Sequence, residues 1–185
     1  MLRKSLPLVL VAVVCMAAAP KPGQKPVAKP ARPSAATSAP THAGPLDARD
    51  PAALIALLAT LSAKAEIARR DGDAVFLTVT SPTEIFSAQF AGCDAQGRNC
   101  QALLFDRLGG QGGPTLAQLN AFNQAQMMCR LYQDKSSRPH VVYSSLLFPK
   151  DGRPEMLMHL NAWRGCIGDF SAFLKDPAGF LAGAA

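Results

Sequence analysis

Apolar residues recur at helical spacing in three stretches of the chain and alternate with polar ones in several others. Leu54, Leu57, Leu58 and Leu61 fall at i, i+3, i+4 and i+7, one stripe of an amphipathic helix. Asp50 stands where an N-cap belongs and Pro51 at the first helical position, so a helix is expected from there to about Ser62. Thr115 to Met128 reads as a second helix, with Leu116, Leu119 and Phe122 inward. A third opens near Pro154. Its stripe is Met156, Leu160, Trp163, Ile167, Phe170 and Leu174, at spacings of 4, 3, 4, 3 and 4. Asp176-Pro177 starts a short extra turn.

Between these helices the period changes to two. Ala65 to Arg70 is a short strand, ended by the Asp71-Gly72-Asp73 turn. Val75 to Thr80 is dense in β-branched and aromatic residues. Ser81-Pro82-Thr83 breaks it, and Ile85 to Gly92 follows with Phe86, Ala88 and Phe90 on one face. Gln101 to Phe105 is the return strand. Arg130 to Asp134 and His140 to Phe148 are two more, joined through Ser136-Ser137-Arg138-Pro139. The order α-β-β-β-β-α-β-β-α predicts an α+β fold: an antiparallel sheet of about five to six strands packed by three helices. The domain is expected over residues 46–185.

The first 45 residues differ in kind. Met1-Leu2-Arg3-Lys4 is basic, Leu6 to Val14 is apolar, and Ala17-Ala18-Ala19 is small, the order of a secretory signal peptide over residues 1–19. Cleavage after Ala17 or Ala18 is favoured, because cleavage after Ala19 would leave Pro20 first. The apolar run falls short of the ~20 residues of a bilayer span, so no transmembrane anchor is expected after cleavage. Lipidation at Cys15 fits poorly behind Ala12-Val13-Val14. Residues 20–45 hold seven prolines, four Lys or Arg and no acid. Such a segment cannot bury enough apolar surface to order itself, and it reads as a semi-extended linker.

Charge follows the same division. The chain carries a net +6, and residues 1–45 account for all of it through Arg3, Lys4, Lys21, Lys25, Lys29 and Arg32. Residues 46–185 carry 13 basic and 13 acidic side chains. The basic character therefore belongs to a leader and a tail, which argues against a nucleic-acid partner for the folded part.

Export permits disulfides, and four cysteines follow the leader: Cys93, Cys100, Cys129 and Cys166. Cys93 and Cys100 flank six polar residues between two apolar strands, so a hairpin staple is the favoured reading. Free thiols are one alternative. Zinc is another, although the six-residue gap suits it badly. Cys129, expected at the end of the second helix, and Cys166, within the third, bond to each other if those elements meet; otherwise both are small buried hydrophobes. His140 and His159 are the histidines available as bases for a thiol enzyme, and each reads more simply as solvated or locally bonded. The loop Gly109 to Pro114 matches neither glycine-rich phosphate-binding pattern and reads as a connector. No cofactor is implied.

Several residues together resemble the YbjN family of bacterial proteins, to which a role as sensory transduction regulators is ascribed. The pieces are Phe90-Ala91-Gly92-Cys93 ending a strand, Cys100 leading the next, Leu119-Asn120-Ala121-Phe122-Asn123 in a helix, Arg130-Leu131-Tyr132 entering a strand, and Trp163 in the last helix. The likeness spans about Asp50 to Leu174. Phe122 stands where the family has tryptophan, and Met127-Met128 where it often has Arg-Phe. The resemblance implies an α+β fold similar to that of type III secretion chaperones, no catalytic residues and a regulatory role. Asn120 and Asn123 share a helix face. They either orient the helix-to-strand connection or line a groove with Arg130. The function expected is an exported, non-enzymatic module that binds another protein. The alternatives are a thiol-dependent enzyme using Cys129 or Cys166, and a structural envelope protein with a cationic arm.

Overall fold

The computed structural model describes residues 45–183. The leader expected over residues 1–19, Cys15, and all of the linker but Pro45 lie outside the described residues. Ten elements follow in order: α1 (Pro51–Thr60), β1 (Lys64–Asp71), β2 (Ala74–Thr80), β3 (Ile85–Ala91), β4 (Ala102–Leu108), α2 (Leu116–Ala125), β5 (Cys129–Gln133), β6 (Pro139–Leu146), α3 (Arg153–Lys175) and α4 (Pro177–Gly183). The architecture is α+β: a six-stranded antiparallel sheet ordered β1-β2-β3-β4-β6-β5, with four helices. The fourth, α4, grows from the extra turn expected at Asp176-Pro177. β1 to β4 are sequential hairpins. After α2 the chain lays down β5 at the sheet edge, and β6 returns between β5 and β4.

Side-chain parity gives the sheet one buried face. Val75, Leu77 and Val79 of β2, Phe86, Ala88 and Phe90 of β3, Leu103 and Phe105 of β4, and Val141 and Tyr143 of β6 join Leu54, Phe122, Trp163 and Phe170 of the helices in a single core. Trp163 anchors it, with ring centroids 5.5 Å from Phe86 and 5.6 Å from Phe105. The opposite parity carries no helix.

Local chemistry sets the element ends. Asp50 accepts from the Ala52 N–H at 2.9 Å as the N-cap of α1. The helix stops at Thr60 in a Schellman turn. Ala63 N–H donates to Leu58 O at 3.0 Å and Ser62 N–H to Ala59 O at 3.3 Å, with Ser62 left-handed at φ 59°. This ending puts Leu61 off the expected apolar stripe, 49% exposed. Thr115 and Gln118 form a capping box at the start of α2. Leu116, expected inward, is 66% exposed instead: side chains tilt toward the helix N-terminus, so one in the first turn hangs beyond the helix end.

Three further expectations are corrected. α2 ends at Ala125 rather than Met128, and Cys129 opens β5 rather than closing α2. Gln126 is extended (φ −99°, ψ 134°), and Met127 and Met128 turn outward so that Cys129 can pair with Tyr143 of β6. In α3 the buried stripe is wider than expected. His159, Cys166 and Phe173 are buried beside it, and Leu174 is only half-buried.

Two hairpins use one turn design. Asp94 Oδ1 accepts from the Gln96 and Arg98 N–H groups, with left-handed Gly97 between. Asp134 Oδ1 accepts from Ser136 and Arg138 N–H, with left-handed Ser137 between. The donors hold Asp134 down at about 2, the Arg138 backbone N–H contributing most.

Candidate functional site

The Asn120, Asn123 and Arg130 set lies at the corner where α2 turns into β5. Asn123 Nδ2 donates to Leu131 O at 3.0 Å, and its Oδ1 accepts from Leu131 N–H at 2.7 Å. Arg130 donates from one guanidinium nitrogen to Gln126 O at 2.7 Å and Cys129 O at 2.8 Å. Both side chains therefore occupy backbone groups: Asn123 the outward-facing edge of β5, Arg130 the end of α2. Asn120 is exposed on the adjoining surface.

The four cysteines form two disulfides. Cys93–Cys100 closes the base of the β3–β4 loop, with Cα atoms 3.8 Å apart. Both residues lie just outside the strands, and Cys100 N–H donates to Arg49 O, tying the loop to the segment ahead of α1. Cys129–Cys166 joins the start of β5 to the middle of α3, and both residues are buried. A thiol nucleophile needs a free sulfur. Each of these four is engaged.

The histidines are both locally bonded, and His159 is not solvated. His159 is buried, with Nδ1 at 2.9 Å from the Tyr143 hydroxyl, and burial pushes its pKa down. His140 Nδ1 sits 2.8 Å from Asp106 Oδ1, while Tyr132 donates its hydroxyl to Asp106 Oδ2 at 2.8 Å and stacks on the imidazole at 4.6 Å. Burial and then that carboxylate push the Tyr132 phenol up to about 12. His140 Nε2 is enclosed, 3.7 Å from Asp134 Oδ2, so the Asp106–His140 pair presents no base to a substrate. This cluster was legible in one respect only: Tyr132 and His140 are equidistant from the 134–138 turn, which pairs them across a hairpin. Asp106 comes from β4, beyond any local reading.

That cluster belongs to the helix-free face of the sheet. Registered across the centre of this face are Ser87, Gln89 and Ala91 of β3, Ala102 and Leu104 of β4, and Val142, Ser144 and Leu146 of β6. None of these carries charge. Asp106 is the charged exception, and it is held by Tyr132 and His140. Lys64, Glu66, Arg69 and Asp71 of β1 lie along one side and Arg130 of β5 along the other. Ile85 and Leu146 are 66% and 63% exposed.

On the helix-bearing side a cleft of about 420 Å³ opens between the end of α1, the β2–β3 turn and α3. Leu58, Leu61, Phe86 and Ile167 form its apolar walls, Trp163 lies within it, and Arg164 and Glu84 stand at its rim. The Trp163 Nε1 donor is buried with no acceptor, which costs on the order of 1–3 kcal/mol. Periodicity placed Trp163 in the core but gave no sign of the cleft, because its three walls are far apart in the chain.

Among the described residues no helix is long and apolar enough to cross a membrane. Comparison with known proteins returns no match, whether to a family model, a curated protein or a solved structure.

Proposed function

We propose that the chain is an exported, non-enzymatic binding module of YbjN-like type that recognises another protein through the helix-free face of its sheet. The observation that carries this reading is the charge pattern of that face. A centre of apolar and small polar side chains, charged only at Asp106, which Tyr132 and His140 engage, and flanked by charged positions and the aromatic rings of Phe76 and Tyr132, has the composition of a protein interface. The exposed face of an ordinary antiparallel sheet is instead polar along its length. Six strands at ~4.8 Å spacing span about 24 Å, and seven-residue strands about 23 Å. The footprint of roughly 550 Å² is somewhat below the ~800 Å² per partner of a standard stable interface, which suits a reversible, regulatory contact. Export is supported by the leader pattern and by two disulfides, which an oxidising compartment permits. The regulatory role rests on the YbjN resemblance.

The test compares three baits in envelope extracts: the wild-type domain, Leu104→Arg on the sheet face, and Ser171→Glu on the exposed side of α3. A specific partner should be retained by wild type and Ser171→Glu and lost from Leu104→Arg. Equal retention by all three, or no partner with any bait, overturns the reading.

A further inference from the structure

The cleft between α1 and α3 combines three properties that nothing in the proposed sheet-face recognition uses. Its walls are apolar, and one of them, Leu61, stays 49% exposed beside a buried Leu58 because the Schellman turn holds it at the rim of the core. Its rim is electrically unbalanced. Glu84 is already matched by Arg107, with Nε at 2.8 Å from its carboxylate, whereas Arg164 is exposed and has no ion-pair partner among the described residues. The field at the mouth is therefore positive. Finally, Trp163 is 1% exposed, and its indole N–H has no acceptor within the protein. A volume of about 420 Å³ lies within the range of small-molecule sites, which pair apolar walls with a few placed polar groups.

An amphipathic anion meets the first two conditions, and the buried Trp163 indole beside its tail reports on its arrival. An aliphatic chain covers Leu58, Leu61, Phe86 and Ile167, and a carboxylate at the mouth meets the Arg164 guanidinium, whose planar fork matches it in bidentate geometry. A neutral apolar ligand would leave Arg164 unused, and an aliphatic cation would be repelled. We infer that the cleft binds a medium-chain aliphatic carboxylate, tail inward and carboxylate on Arg164. The site lies on the helix-bearing side of the sheet, so its occupancy and sheet-face recognition stand or fall separately.

Trp163 is the only tryptophan in the chain, so its emission reports directly on the cleft. The experiment titrates the full chain, disulfides intact, with hexanoate, octanoate and decanoate below their micelle-forming range. Tryptophan emission and titration calorimetry are followed in parallel. Decyltrimethylammonium, with the same tail and opposite charge, is the control. Saturable binding is expected, tightening up to about fourfold per methylene added. Decanoate should bind at least about tenfold more tightly than the cation. Arg164→Gln should weaken decanoate about tenfold or more and erase that preference. Leu61→Glu, at an exposed position, should weaken it further. The inference is overturned by an emission change that does not saturate, by equal binding of anion and cation, or by an Arg164→Gln variant that binds decanoate like wild type.

Discussion

The side-chain amide of Asn123 clamps the peptide unit of Leu131 with two hydrogen bonds, donating to its carbonyl at 3.0 Å and accepting from its N–H at 2.7 Å. The amide stands where a seventh strand would otherwise pair, so a residue of α2 closes one edge of the sheet. Each such bond contributes on the order of 1 kcal/mol net. Asn123→Ala is expected to cost about 1–2 kcal/mol in guanidinium unfolding and to raise light scattering at high concentration, because the β5 edge is reopened. Asn123→Asp keeps the acceptor and loses the donor, and should fall between. An Asn123→Ala protein with unchanged unfolding midpoint and scattering would refute the clamp.

Ser62 closes the Schellman turn of α1 with φ 59°, a region that costs a non-glycine residue about 1–2 kcal/mol. Ser62→Gly should stabilise the domain by about 1 kcal/mol, or about 4 °C in thermal midpoint, while Ser62→Ala should give no gain. Ser137, at φ 58° in the β5–β6 turn, should respond in the same direction. Differential scanning calorimetry of the three variants decides the matter.

The two disulfides should differ in weight. Cys93–Cys100 spans 7 positions and Cys129–Cys166 spans 37, so the chain-entropy model assigns them about 2.5 and about 4 kcal/mol. Replacing each pair by alanine should reproduce that order in chemical unfolding. Loss of the second pair should also loosen β5 against α3, read as faster amide exchange at Leu131. The reverse order of stabilities would contradict the assignment.

Acid should act in two stages. His159 is buried, and desolvation lowers its folded pKa below the usual 6.5. The unfolded chain then binds the proton more readily. Stability is fully present above about 6.5 and is lost as pH falls from there toward the folded value, with a slope of at most about 1.4 kcal/mol per unit. Asp151 and Glu155 oppose the shift and limit its extent. The second stage comes from Asp134, held at about 2 against an ordinary 3.8, so its contribution persists above about 3.8 and is lost between there and about 2. His159→Gln should flatten the first stage and leave the second. A profile unchanged by His159→Gln would show that another group governs the loss below pH 6.5.

Both tyrosines resist ionisation in the folded state. Burial followed by hydrogen bonding to Asp106 takes Tyr132 to about 12, and burial raises Tyr143. Absorbance near 295 nm should show less phenolate at pH 10 in the folded domain than after unfolding, and Asp106→Asn should bring Tyr132 part of the way back toward its ordinary value, burial holding the rest.

Much of the fold was legible because burial is periodic. The leucines of α1, the alternating Phe86, Ala88 and Phe90 of β3, and the stripe of α3 each report a face from local spacing alone. Most misreadings fall at element ends, at Leu61, Leu116 and the end of α2; the wider buried stripe of α3, with His159 and Cys166 inside it, is the exception. At Leu61 and at the end of α2 the expected helix runs on for one to three residues after the chain has already turned, and Leu116 sits in the first turn, where its side chain hangs beyond the helix end. Of the candidate residues, Asn123 falls in α2, and its partner Leu131 is only eight positions on, but which backbone group its amide would meet depends on how tightly the chain turns through residues 126–128 into β5.

By itself, then, the amino-acid sequence determined the α+β class, the location of the core stripes, the charge-neutral folded part and the presence of four cysteines where an exported chain would oxidise them. These depend on period, composition and count, which are local or additive quantities. The tertiary structure alone decided that Cys129 meets Cys166, that Asp106 of β4 joins Tyr132 and His140, that one sheet face stays bare, and that a cleft opens beside Trp163. Each of those depends on strand order and helix placement, set by the total burial of the chain rather than by any one stretch of it.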